Sequence, residues 1–161
     1  MERFFLTMQY LKKLKIELEK GEYRNLIKGQ IRDPEQVYRV FKAIKDKAQE
    51  TLIGVYLNER LEMNIYDILS VGGESVTLVL PDEIFDRAIV TRSRTFILVH
   101  NHPSGDPIPS GADREVIAIL SEQSKVMRRF FLDFIIVGDD TYWSMFEERE
   151  AGREYAPENA E

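Results

Sequence analysis

The only two histidines of the chain, His100 and His102, sit two positions apart at the end of its most apolar run, Thr95-Phe96-Ile97-Leu98-Val99. Such a run reads as a buried central strand. Side chains alternate along a strand, so a spacing of two puts both imidazoles on one face. Two imidazoles so placed can reach one ion at about 2.0 to 2.1 Å. A lone buried histidine is ordinarily a hydrogen-bonded core residue, but two on one face at a strand end would need two separate polar partners. Asp113 completes the string: His100, one residue, His102, seven residues, Ser110, two residues, Asp113. Ser110-Gly111-Ala112-Asp113 is also a sound helix start, with Ser110 as cap and the acid in the favoured first turn. Loops at strand ends of α/β sheets are where ligands bind, and a loop that folds back here brings Asp113 in as third ligand. Two histidines and a carboxylate with one open position form a recurring catalytic zinc arrangement.

These residues need a scaffold, and 161 residues with 43% apolar content suffice for one compact domain. Phe4, Met8, Leu11, Leu14 and Leu18 predict an amphipathic helix over 2–20, closed by Gly21. Asp33-Pro34-Glu35-Gln36 supplies a cap, a first-turn proline and a first-turn acid. The helix it opens carries Val37, Val40, Phe41, Ile44 and Ala48 on one face and ends near Gln49. Strands are expected at Thr51 to Leu57, Met63 to Val71 and Val76 to Leu80, the first two joined by a turn at Asn58-Glu59-Arg60. Pro81-Asp82-Glu83 opens a helix with Ile84, Phe85, Ala88 and Ile89, fading near Arg92. After the histidines, a loop from Pro103 to Pro109 leads into a helix from Ser110, with Val116, Ile117, Leu120 and Val126 apolar. Phe130 to Val137 and Tyr142 to Phe146 read as closing strands around Gly138-Asp139-Asp140. Strands alternating with helices imply a three-layer α/β/α domain. The expected division is a helical extension over 1–33, the catalytic domain over 34–146, and an acidic, partly disordered tail over 147–161.

Composition removes several classes. With no cysteine there is no disulfide, thiolate metal site or thiol nucleophile, which excludes zinc fingers, thiol proteases and zinc deaminases. No run is long and apolar enough to span a membrane, and no secretory signal is legible, so a soluble cytoplasmic protein is expected. The net charge of -6 is unevenly spread. Residues 1–49 carry twelve Lys and Arg against seven Asp and Glu, 50–146 carry eight against fifteen, and 147–161 two against six. The basic front end is suited to meet phosphate or to dock on its own acidic body, and the second is the commoner fate.

The string H-x-H-x7-S-x2-D resembles the signature of the JAMM (MPN+) metallopeptidases. His100-Asn101-His102-Pro103-Ser104-Gly105-Asp106-Pro107 and Pro109-Ser110 resemble the RadC-like branch in particular. The similarity runs over roughly residues 34–146, through Leu57-Asn58, Pro81-Asp82-Glu83-Ile84-Phe85 and Ile135-Ile136-Val137-Gly138. It implies a curved sheet flanked by helices, with cytidine-deaminase-like architecture. It also implies zinc held by His100, His102 and Asp113, a serine near the bound water (Ser110), and an upstream glutamate as general base. By position that glutamate is Glu50. An acid at a helix C-terminus opposes the dipole, which sits poorly with a purely structural role; Glu83 and Glu115 compete, both in first turns where acids are expected anyway.

Two departures stand out. RadC-like proteins usually read Asp-His before the Ile-Ile-Val-Gly stretch, and here the pair is Asp133-Phe134. The front end also lacks the paired glycine turns of the helix-hairpin-helix DNA-binding region many relatives carry. Three functions compete. The first is a metallopeptidase or isopeptidase acting on a polypeptide through zinc-activated water, with Ser110 steadying the oxyanion. The second is a DNA-associated factor or metal-dependent nuclease, disfavoured because few cations flank the motif. The third is a zinc-binding scaffold that recruits a partner through its basic N-terminal helix.

Overall fold

Every residue of Thr51–Leu57 (β1) and of Thr95–Asn101 (β3) is buried, and these two strands form the centre of the sheet. The computed structural model describes residues 27, 29–72 and 81–152; the helix expected over 2–20 and the strand expected over 76–80 lie outside them. A helix Pro34–Phe41 (α1) comes first, followed by a 3-10 turn Lys42–Asp46, β1, and Met63–Val71 (β2). Pro81–Val90 (α2), β3, Gly111–Met127 (α3), Phe130–Val137 (β4), Tyr142–Ser144 (β5) and Met145–Glu150 (α4) complete the order.

The five strands lie in the order β2-β1-β3-β4-β5, with β3 and β4 parallel and the other pairs antiparallel. The parallel pair needs a crossover, which α3 supplies. Alternation along the central strands serves two cores. Leu52, Tyr56, Phe96, Leu98, Phe134 and Ile136 pack against Ile84, Phe85 and Ala88 of α2, Val116, Ile117 and Leu120 of α3, and Met145. Ile53, Val55, Leu57, Ile97, Val99, Ile135 and Val137 pack against Val37, Phe41 and Ile44. Helices therefore cover both faces of one sheet, the expected α/β/α layering.

Two elements differ from expectation at their ends. The helix begun by Asp33, whose carboxylate accepts from the Gln36 N–H at 2.8 Å, tightens to 3-10 geometry after Phe41 and stops at Asp46. Lys47 then turns extended to feed β1, so Ala48, expected on the apolar face, is exposed. The strand expected over Tyr142 to Phe146 ends at Ser144, because that residue caps a helix reaching Glu150. Ser144 accepts from the Glu147 N–H and donates to the buried Asp133 carboxylate at 2.8 Å, which also accepts from the Phe146 N–H at 2.9 Å. Burial pushes the Asp133 carboxyl up to about 7 against these hydrogen bonds.

On β1, Gly54 leaves the space that the Tyr56 ring occupies: a Cβ there would meet the Tyr56 hydroxyl at 2.8 Å and its ring at 2.9 Å. Tyr56 is fully buried and has nowhere to go. Gly54→Ala should therefore destabilise the domain by about 1–3 kcal/mol, while Gly111→Ala, with nothing within 4 Å of the added carbon, should be near neutral. Urea unfolding of both variants checks this; equal stability would show that Tyr56 is not confined as described.

Candidate metal centre

The β1–β3 ladder pairs Leu52 with His100. Glu50 lies just before β1 and His102 just after β3, close enough for their charges to interact. Leu52 and Leu98 face the core under α2 and α3, and by alternation His100 points the same way. His100 is 1% exposed, and its ring centroid lies 4.9 Å from that of His102. Asn101, between them, faces the opposite side and is fully buried. Its Oδ1 accepts from the Thr51 N–H at 2.8 Å and so ties the start of β1 to the end of β3. Sequence reasoning misses this residue. A polar side chain between two same-face histidines, at the end of an apolar strand, is the signal that could have found it.

Beyond β3 the chain folds back as expected. The Gly105 N–H donates to the His102 carbonyl at 2.9 Å, and the Asp139 N–H donates to the Gly105 carbonyl at 3.0 Å. Gly105 has φ +75°, and a Cβ there would strike the Asp139 carboxylate. A Cβ on Gly138 would meet the Gly105 carbonyl oxygen at 2.7 Å. Two glycines thus let the loop seat on the β4–β5 turn. The same loop aims His102: its Nδ1–H donates to the Asp106 carbonyl at 2.8 Å. That bond fixes the tautomer and leaves Nε2 to face the site.

Asp113 is 1% exposed in the first turn of α3, where it is both a helix-start acid and a member of the cluster. Its Oδ2 accepts from the Ser110 N–H at 2.7 Å and from the Ser110 hydroxyl at 2.6 Å, and lies 3.1 Å from His102 Nε2, which donates to it when the ring is protonated. The Ser110 hydroxyl in turn accepts from the Asp113 N–H, closing a capping box. Oδ1 has no hydrogen-bond partner, and it lies 3.8 Å from His100 Nε2. Ser110, expected beside the reacting water, gives its single hydroxyl proton to Asp113, so its contact here is an orienting one.

His100, His102 and Asp113 offer ligand atoms that all lie within 4.8 Å of one another. Neither ring nitrogen of His100 makes a hydrogen bond. Phe134, at the position where the resemblance leads one to expect a histidine, is fully buried with its ring centroid 6.3 Å from that of His100, and supplies no polar partner. A buried donor or acceptor left unsatisfied costs about 1–3 kcal/mol. A cation among these three groups would satisfy Asp113 Oδ1 and one His100 nitrogen together, so the residues fit a metal.

The electrostatics agree. Burial lowers the His100 pKa to about 4, opposed only in part by Asp113 and the Thr51 backbone, which keeps the ring neutral as a ligand must be. His102 is raised, first by its hydrogen bond to Asp113. Burial pushes Asp113 up, but hydrogen bonds from His102 and Ser110 outweigh it and hold the carboxyl below its ordinary value. Glu50 is part-buried, and its pKa is raised, chiefly by burial, with His102 lowering it and Asp113 raising it. Of the competing acids, Glu83 lies 3.5 Å from Arg87 Nη1 and Glu115 is exposed on α3.

A profile of the RadC-like JAB domain matches residues 31–152. The chain is similar to a UPF0758 protein of Methanosarcina mazei, 35% identical over 122 residues, covering 75% of this chain and 53% of the relative. A UPF0758 protein of Chlorobaculum parvum is 39% identical over 101 residues, 63% of this chain and 46% of the relative. One of Halalkalibacterium halodurans is 36% identical over 118 residues, 73% and 51% respectively. The chain spans about half the length of these curated relatives. No helix among the described residues is long and apolar enough to cross a membrane.

Purified protein should bind about one divalent ion per chain, and Asp113→Ala should lose it. The His102 proton competes with the ion, so affinity should weaken as pH falls through the raised His102 range, and His100, at about 4, adds no competition there. Calorimetry in two buffers should find proton release on binding at a pH below the raised His102 range, fading as pH rises through it. Full metal content in Asp113→Ala would remove that carboxylate from the ligand set.

Proposed function

The chain belongs to the RadC-like JAB domain family, and from that premise we propose that it is a zinc-dependent metallohydrolase cleaving an amide or isopeptide bond of a polypeptide. The observation that supports the reading is a part-buried carboxylate, Glu50, within electrostatic reach of His102 and Asp113, beside a group with an unsatisfied acceptor. Zinc, held by His100, His102 and Asp113, would supply Lewis acidity for polarising a carbonyl and acidifying water.

The remaining chemistry belongs to the chain. The Glu50 carboxylate takes a proton from the attacking water and delivers it to the leaving nitrogen. Its raised pKa suits both halves of that cycle, since a very weak base would not take the proton. Ser110 holds Asp113 through its hydroxyl and its N–H, which makes it a positioning residue in this reading. The loop from Pro103 to Pro109 holds the His102 ring through Asp106. A nuclease reading is less well supported, because the cations that line a cleft, Arg94, Lys125, Arg128, Arg129 and Arg149, do so with residues from the far end of α3.

Glu50→Gln keeps shape and hydrogen bonding but removes the base, so zinc content should persist while peptide turnover falls by roughly 10²-fold or more. In the wild type, kcat/KM should rise with pH through an ionisation above the ordinary carboxylate value, and the limb set by Glu50 should be absent from the residual activity of the variant. Undiminished turnover in Glu50→Gln would return the role to Glu83 or Glu115. Zinc-dependent DNA cleavage without peptide turnover would replace the peptidase reading.

A further inference from the structure

Arg94, Lys125, Arg128, Arg129 and Arg149 line one cleft of about 910 Å³ at the end of α3 opposite the metal group. The first four are half of the eight basic residues between Glu50 and Phe146, a stretch holding fifteen acids. Glu122 is the one acid in the lining, and it is engaged by Lys125 at 2.6 Å. Arg128 and Arg129 form no ion pair among the described residues. A helix C-terminus attracts cations to its carbonyls, which accounts for Lys125 and Arg128. It does not account for Arg94, before β3, or Arg149, on α4, which converge on the same space.

Two further features point to a ligand. Arg129 Nε and Ser124 Oγ are buried in the lining without a hydrogen-bond acceptor. Phe130 is 59% exposed, and the Arg94 guanidinium carbon lies 5.8 Å from its ring centroid. Cations with desolvated donors suit phosphate oxygens, and an exposed aromatic face among them suits an unpaired base. An acidic peptide would satisfy the first requirement and leave Phe130 uncovered; a duplex keeps its bases stacked away from the ring.

We propose that this cleft binds single-stranded nucleic acid, with backbone phosphates on Lys125, Arg128, Arg129 and Arg149 and a base stacked on Phe130. The site is separate from the metal centre: Asp113 and Lys125 stand roughly 18 Å apart along α3 at 1.5 Å per residue. Binding there requires no turnover and does not rest on the peptidase reading.

Fluorescence anisotropy of a labelled oligothymidylate with the full chain, across salt concentrations, tests this. Arg128→Glu with Lys125→Glu should weaken binding at least tenfold, and the log–log salt slope should fall by about 0.7 for each phosphate that no longer meets a cation. Phe130→Ala should weaken it about tenfold. Arg39→Glu, which removes an exposed pair with Glu35 on α1, should leave it unchanged. Metal content and thermal midpoint should match wild type in every variant, which keeps folding out of the comparison. Unchanged affinity in the double charge reversal overturns the proposal, since binding carried by the basic residues of 1–49 would survive it. Tighter binding of duplex DNA, inorganic polyphosphate or a peptide of residues 153–161 than of the oligothymidylate also overturns it.

Discussion

Both ring nitrogens of His100 and one oxygen of Asp113 are buried without a hydrogen bond, and the centre depends on what satisfies them. The surroundings are apolar: Phe134 packs beside His100, and the strand beneath is buried throughout. Orphaned polar atoms in such a setting each cost about 1–3 kcal/mol. They persist where a function needs them or where an ion completes them. A cation turns that cost into attraction, because the low polarity that penalises an unpaired carboxylate also strengthens its pull on a positive charge.

The rest of the fold keeps those atoms in place. The β1–β3 ladder fixes His100, Glu50 lies just before β1, and Asn101 locks the junction from the opposite face. The loop after His102 is seated on the β4–β5 turn by two glycines and turns the second imidazole through the Asp106 carbonyl. The capping box of α3 consumes one oxygen of Asp113 and so aims the other. Each of the three candidate ligands thus sits on or beside a rigid element, and His102 and Asp113 are oriented by a second contact, which is what a preorganised site requires.

Much of this is legible in the sequence where one physical rule governs a segment. The apolar run before His100 declares a buried strand, the spacing of two puts the histidines together, and Ser110 with Asp113 declares a helix start; all three hold in the structure. The misreadings share a cause. Periodicity places Ala48 on an apolar face because it cannot see a helix tightening to 3-10 geometry before a strand. Phe146 reads as strand because Ser144, whose Ser-x-x-Glu pattern is a cap signal, also belongs to a β-rich run. Asn101 is marked by its place between the histidines, but the partner it reaches across the sheet, Thr51, is fifty residues away in sequence and no local pattern names it. The basic cleft is illegible for the same reason, since Arg94, Lys125 and Arg149 meet only once α3 spans the sheet and α4 forms.

The result is a domain with two chemically distinct ends, a largely buried carboxylate and imidazole cluster at the start of α3 and a cationic cleft at its finish. The central claim is that His100, His102 and Asp113 hold a zinc ion. X-ray absorption at the zinc edge on the metal-loaded protein tests it most directly. A four-coordinate shell of nitrogen and oxygen donors at about 2.0 to 2.1 Å is predicted, with the multiple-scattering signature of two imidazoles. A shell of oxygen donors alone, or one unchanged in His100→Ala, would contradict it.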